Sequence, residues 1–182
     1  MQRVSAAELG ASWRPGCPLA PASLRRVDID YVGFDLATHR GELIVHKDLV
    51  AEVIAIFEDL RRLRYPIERM RVVDDYTAAL DELSMRDNNT SAFNCRGIPG
   101  SRRWSEHAYG RAIDLNPQLN PFVDRNGAFQ PANAAPYLDR DRIDPGLLRG
   151  GDPAVQAFTD RGWRWGGDWQ TLKDYQHFER RA

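Results

Sequence analysis

The chain has 182 residues, 42% hydrophobic and 28% charged, with 25 Lys and Arg against 26 Asp and Glu. That hydrophobic fraction excludes a disordered chain, and the length suits a single domain with its own core. The balanced charge, net −1, excludes a chain-wide basic surface for nucleic acid, and no apolar run approaches the roughly 18–20 residues of a membrane span.

Residues 1–40 are rich in Pro, Gly and Arg, as in Trp13-Arg14-Pro15-Gly16-Cys17-Pro18. They read as an irregular N-terminal wrap against the same domain, with a strand over Val27–Phe34. The first eight residues lack the apolar stretch of a secretory signal. The main body of the domain is expected over 41–182. A short strand is predicted at Gly41–His46, then a helix from Lys47 or Asp48 to about Arg64. Val50, Val53, Ile54, Phe57 and Leu60 recur there at helical spacing, and Pro66 follows. Arg69–Val73 reads as a strand. From Asp74 to Arg103 the chain is polar and turn-rich, and reads as a long loop with an extended piece around Phe93–Arg96. Ala112–Leu115 reads as a strand with Ala112 and Asp114 on one face. Residues 116–151 read mostly as loop, and loops that long in a compact domain are often functional. A short helix is predicted from Asp152 or Pro153 to Asp160, followed by the aromatic segment Trp163–Trp169 and an extended stretch at His177–Glu179. Helices and short strands mix without regular alternation, which predicts an α+β fold.

The chemistry concentrates in two segments. In the first, a turn containing Gly110 leads from His107 into the strand bearing Asp114. The second is Asp174-Tyr175-Gln176-His177-Phe178-Glu179. Two imidazoles and a carboxylate make a three-ligand zinc set with the fourth position left for water, as catalytic zinc requires. A carboxylate beside that water is then the expected general base. Each residue also has a plainer reading. A lone His beside aromatics is more often packed than ligating, and an inward Asp114 is also satisfied by an arginine. His39 and His46 have no partners in sequence and read as structural. Cys17 and Cys95 make no thiolate zinc site; they are either one disulfide or two buried thiols.

Ser105-x-His107-x-x-Gly110-x-Ala112-x-Asp114, followed by Trp165-Gly166-Gly167-Asp168-Trp169 and Asp174-x-x-His177-Phe178, resembles the zinc D-alanyl-D-alanine carboxypeptidase family. That group includes vancomycin-resistance carboxypeptidases and phage L-alanyl-D-glutamate endolysins. The resemblance runs from about Thr90 to Phe178. It implies one zinc ion per chain, held by His107, Asp114 and His177, with Asp174 as general base. Arg96, in the stretch Asn89–Arg96, corresponds to the arginine facing the scissile carbonyl. The implied fold is the hedgehog/DD-peptidase type, a small antiparallel sheet flanked by helices. The implied substrate is a peptidoglycan stem peptide, cleaved by a D-Ala-D-Ala carboxypeptidase or an L-alanyl-D-glutamate endopeptidase. A non-catalytic zinc-binding module, as in the hedgehog signalling domain, is the other class, and the presence of Asp174 weighs against it.

Trp165 and Trp169, with Trp163, are candidates for a wall of the substrate cleft, although large aromatics serve equally often as core. Tyr109 is a candidate substrate contact. Ser105 either caps the turn or donates to a ligand. A monomer is expected, with a peptidoglycan peptide as partner and neither nucleic acid nor a membrane span. The resemblance also implies an extracytoplasmic location, which a Cys17–Cys95 disulfide would suit.

Overall fold

The computed structural model describes residues 1–181. In chain order the elements are β1 (Gln2–Arg3), β2 (Leu24–Val32), β3 (Thr38–His46), α1 (Val50–Arg62), β4 (Arg69–Met70), α2 (Asp81–Arg86), β5 (Asn89–Thr90) and β6 (Ala112–Asp114). They continue with β7 (Phe122–Val123), β8 (Phe129–Gln130), α3 (Pro153–Thr159), β9 (Arg164–Trp165), β10 (Lys173–Asp174) and β11 (His177–Glu179). Short antiparallel sheets and three α-helices make this an α+β fold, with β4 and β5 as a single parallel pair. No helix among the described residues is long and apolar enough to cross a membrane.

The scaffold is the hairpin of β2 and β3, paired in register from Leu24↔His46 to Val32↔Thr38. The strand expected over Val27–Phe34 is Leu24–Val32, and its Val27, Ile29 and Tyr31 alternate into the main core, the period-2 pattern of a strand with one face covered. Leu43 and Val45 of β3 join them, while Ile44 points to the opposite face. There it meets a second apolar cluster of Val4, Leu9, Leu24, Phe93 and Cys95. The irregular wrap therefore ends at Ser23, and it covers the back of the hairpin.

Helix α1 lies across the main-core face of the hairpin and buries Val50, Val53, Ile56, Phe57 and Leu60. The expected stripe included Ile54 instead of Ile56. At 100° per residue Ile54 and Ile56 flank the four shared positions about equally, and the docking of the helix buries Ile56 while Ile54 is left exposed. Full burial of each such side chain contributes about 1.5–3 kcal/mol. Helix α3 docks beside α1, where Phe158 packs against Phe57, Trp163 and Phe178.

Two long segments lack extensive secondary structure but are held by side chains. Residues 74–103 contain α2 and β5, which the turn-rich composition concealed. Residues 116–151 are bracketed by buried asparagines. Asn116 donates to the Pro66 carbonyl and accepts from Glu68 N, and Asn120 donates to the Leu115, Asn116 and Gly146 carbonyls. Arg140 adds bonds to the Leu119 and Leu148 carbonyls while its guanidinium lies 4.3 Å over the Tyr175 ring. Side-chain amides thus satisfy backbone groups that a regular ladder would otherwise pair.

Cys17 and Cys95 are joined, with Cα atoms 6.0 Å apart across a sequence separation of 78. The crosslink ties the wrap to the segment leading into Arg96, alongside hydrogen bonds from Cys95 N to Ser12 O and from Arg14 Nη1 to Cys95 O. Closing a loop of this length stabilises by about 4 kcal/mol in the chain-entropy model. The paired variant Cys17→Ala, Cys95→Ala is accordingly expected to lose stability of that order in urea unfolding. An unchanged midpoint would show that the crosslink does not form in solution.

Candidate metal centre

The centre is built on β6 and β11, which pair antiparallel with His177↔Asp114, Phe178↔Ile113 and Glu179↔Ala112 in register. Alternation along both strands sends Ile113 and Phe178 into the core. Asp114 and His177 share the other face as a directly opposed pair. The other edge of β6 is bonded to Ser91 through Asp114 N to Ser91 O and Ser91 N to Asp114 O. The expected extended piece near Phe93–Arg96 carries no strand of its own, but Phe93 N bonds Ile44 O and so fixes it to β3.

His107 arrives from a one-turn helix, Glu106–Tyr109. Ser105 caps this turn, its Oγ accepting from His107 N at 3.3 Å. The turn closes at Gly110, whose φ is +63°. A Cβ there would lie 2.7 Å from His46 N, and the Gly110 carbonyl accepts from that same N–H at 2.8 Å. Only glycine meets both the left-handed conformation and the close approach to β3. His46 itself belongs to the end of the hairpin, its Nδ1 accepting from Asp48 N.

These elements bring three donors to one point. His107 Nε2 lies 3.2 Å from His177 Nδ1 and 3.1 Å from Asp114 Oδ2, and His177 Nδ1 lies 3.0 Å from Asp114 Oδ1. All three residues are buried, and their ligand atoms form the potential metal-holding group of the described residues. His107 Nδ1 is 2.5 Å from the Ala92 carbonyl, which can only accept. Nδ1 therefore carries a proton, and Nε2 is the nitrogen turned to the cluster. Donors about 2.0–2.1 Å from a tetrahedral metal lie about 3.3 Å from one another, so the observed spacing and the N,N,O donor set both fit zinc.

The charges are strongly coupled. Burial opposes ionisation of Asp114, but the imidazoles of His107 and His177 hold its carboxyl well below the usual range. Burial likewise opposes protonation of His177, yet its contacts with Asp114 and Glu179 push it up to about 10. Asp174 lies on β10, with Trp165–Trp169 folded against it. A Cβ at Gly166 would come within 2.5 Å of the Asp174 carbonyl, so this glycine permits the approach. The Asp174 side chain is half-buried, with Oδ1 fully enclosed and lacking a hydrogen-bond partner. Burial pushes it up to about 7, with His177 and Arg96 pulling against the rise and Asp114 adding to it.

Arg96 reaches the same site. Its Nη2 pairs with Asp81 at 2.9 Å and lies 4.0 Å from Asp114 Oδ2. Trp169 is half-buried with its ring 5.5 Å from that of His177. Trp165 is a correction. It is 4% exposed, stacks on Phe178 and donates from Nε1 to the Tyr175 carbonyl. As the partner of Phe178 in register, it faces the core, away from His177, and forms no wall of the site. Tyr109 is half-buried on the turn after His107.

Two carboxylates escape the sequence reading. Asp81 opens α2 in a segment read as loop, although its acidic first turn is a helix-start signal. Glu179 follows His177 by two positions on one face of β11, and a period-2 reading of that strand identifies it.

Residues 99–180 match the family model described as D-alanyl-D-alanine carboxypeptidase. The resemblance carried by the sequence motifs therefore holds over that stretch, under half of the chain, and it supports a peptidase. The stretch contains His107, Asp114, Asp174, His177 and Glu179; Arg96 and Asp81 lie outside it. No curated protein and no solved structure matches the chain.

Proposed function

We propose that this chain is a zinc-dependent peptidase of the hedgehog/DD-peptidase fold that hydrolyses a peptide bond in peptidoglycan stem peptides, as a D-alanyl-D-alanine carboxypeptidase. The observation that carries this reading is the convergence of His107 Nε2, Asp114 and His177 Nδ1, with the Asp174 carboxylate near enough to feel the charges of His177, Asp114 and Arg96. The three converging residues would hold zinc. A bound zinc ion supplies Lewis acidity to the amide carbonyl and acidifies water at the position its three ligands leave open.

This chain's own residues do the rest. The half-buried Asp174 carboxylate accepts the proton of the attacking water and returns it to the leaving amine. Arg96 directs its guanidinium toward the oxyanion that develops at the carbonyl, with Asp81 bracing its Nη2. Trp169 covers the His177 ring and shields that flank from water. The Cys17–Cys95 crosslink and the cell-wall substrate together favour an extracytoplasmic location.

Mass spectrometry of purified stem peptides after incubation with the zinc-loaded protein tests the reading. Release of one D-alanine is expected. Cleavage between L-alanine and D-glutamate would make the protein an endopeptidase of the same chemistry, and intact peptides would overturn the proposal. Arg96→Ala is expected to lower kcat about 10²–10³-fold, as for loss of an oxyanion partner, with zinc content unchanged. Wild-type turnover in that variant would remove Arg96 from the mechanism.

A further inference from the structure

Glu179 is 4% exposed, at the end of the strand that carries His177. Burying a carboxylate costs several kcal/mol unless its oxygens are matched, and the two oxygens here face different partners. Oε1 forms ion pairs without hydrogen-bond geometry, 2.8 Å from Arg181 Nε and 3.7 Å from Arg164 Nη1. Oε2 lies 3.5 Å from His177 Nε2, the ring nitrogen that points away from Asp114. The residue opposite Glu179 in register is Ala112, itself fully buried. A larger side chain at that position would compete with the carboxylate for space on the same face. The alanine of the Gly110-x-Ala112-x-Asp114 motif thus has a physical reason: it makes room for Glu179.

We propose that Glu179 is a positioning residue for the metal, holding the proton of His177 on Nε2 so that the Nδ1 lone pair is presented to the ion. The inference rests on the zinc reading above and assigns the role of the outer carboxylate to a residue that touches neither metal nor substrate. Outer carboxylates of this kind fix the tautomer and orientation of a ligating imidazole and raise its basicity. Their loss typically weakens metal binding about 10–100-fold. Arg181 and Arg164 face the carboxylate from its other oxygen, away from the ring.

Zinc affinity, measured by competition with a chromophoric chelator, separates this role from a purely structural one. Wild type should bind one zinc ion, and Glu179→Gln should bind it about 10–100-fold more weakly. Arg181→Gln breaks only the Oε1 contact and should keep zinc affinity within about twofold of wild type, since outer-carboxylate tuning acts through Oε2. Glu179→Asp keeps the charge but retracts it from His177, and it should also bind zinc more weakly; this variant serves if the glutamine form does not fold. Unchanged zinc affinity in a folded Glu179 variant would overturn the inference, as would an equal loss in Arg181→Gln. Absence of zinc binding by wild type would instead overturn the underlying zinc reading, and this inference with it.

Discussion

Asp174→Asn is expected to lower kcat about 10²–10⁴-fold, the usual contribution of a general base, while the protein retains its full zinc complement. The substitution conserves shape, so the packing of β10 against Gly166 is undisturbed. What it removes is the capacity of the carboxylate to take up a proton. No hydrogen bond anchors Asp174 Oδ1, so its exchange for an amide breaks no existing pair there. Steady-state kinetics and metal analysis on one preparation decide the point. Loss of zinc together with activity would make Asp174 a ligand. Undiminished turnover would leave it a spectator.

The second large effect is expected at the cluster itself. His177→Ala or His107→Ala should leave the protein with essentially no zinc after dialysis and reduce peptide hydrolysis to background. Each deletion takes one of three donors from a site whose affinity depends on all of them. Each also leaves the Asp114 carboxylate buried with one imidazole fewer, and breaking a buried charge pair in this way costs about 3–5 kcal/mol. A fall in thermal stability should therefore accompany the metal loss even when both proteins are compared without zinc. Metal content and melting temperature equal to wild type would show that the cluster is neither a metal site nor an ionic network.

The His107–Asp114 half of the cluster was legible in sequence because its geometry is local. His107 and Asp114 flank a turn closed by Gly110, and the period-2 alternation of β6 fixes the face of Asp114. That His177 lies directly across from Asp114 is a strand-pairing fact, and a single sequence carries no register. The position of Arg96 depends on α2, which is short and buried in polar composition, so its partner Asp81 went unread. Trp165 and Trp169 show the same limit. Both are aromatic neighbours of the motif, but only the pairing of β9 with β11 determines that Trp165 turns to the core and Trp169 to His177. The long polar segments were legible as loops but not as rigid ones. Their order comes from Asn116, Asn120 and Arg140 reaching backbone groups far away in sequence.

Anomalous diffraction at the zinc edge, from crystals of protein purified with zinc, tests the central claim most directly. The expected result is one strong peak per chain, bonded to His107 Nε2, an Asp114 oxygen and His177 Nδ1, with Asp174 close by but outside the coordination sphere. No peak at the cluster, or a peak whose ligands include Asp174 so that no position is left open, would contradict it.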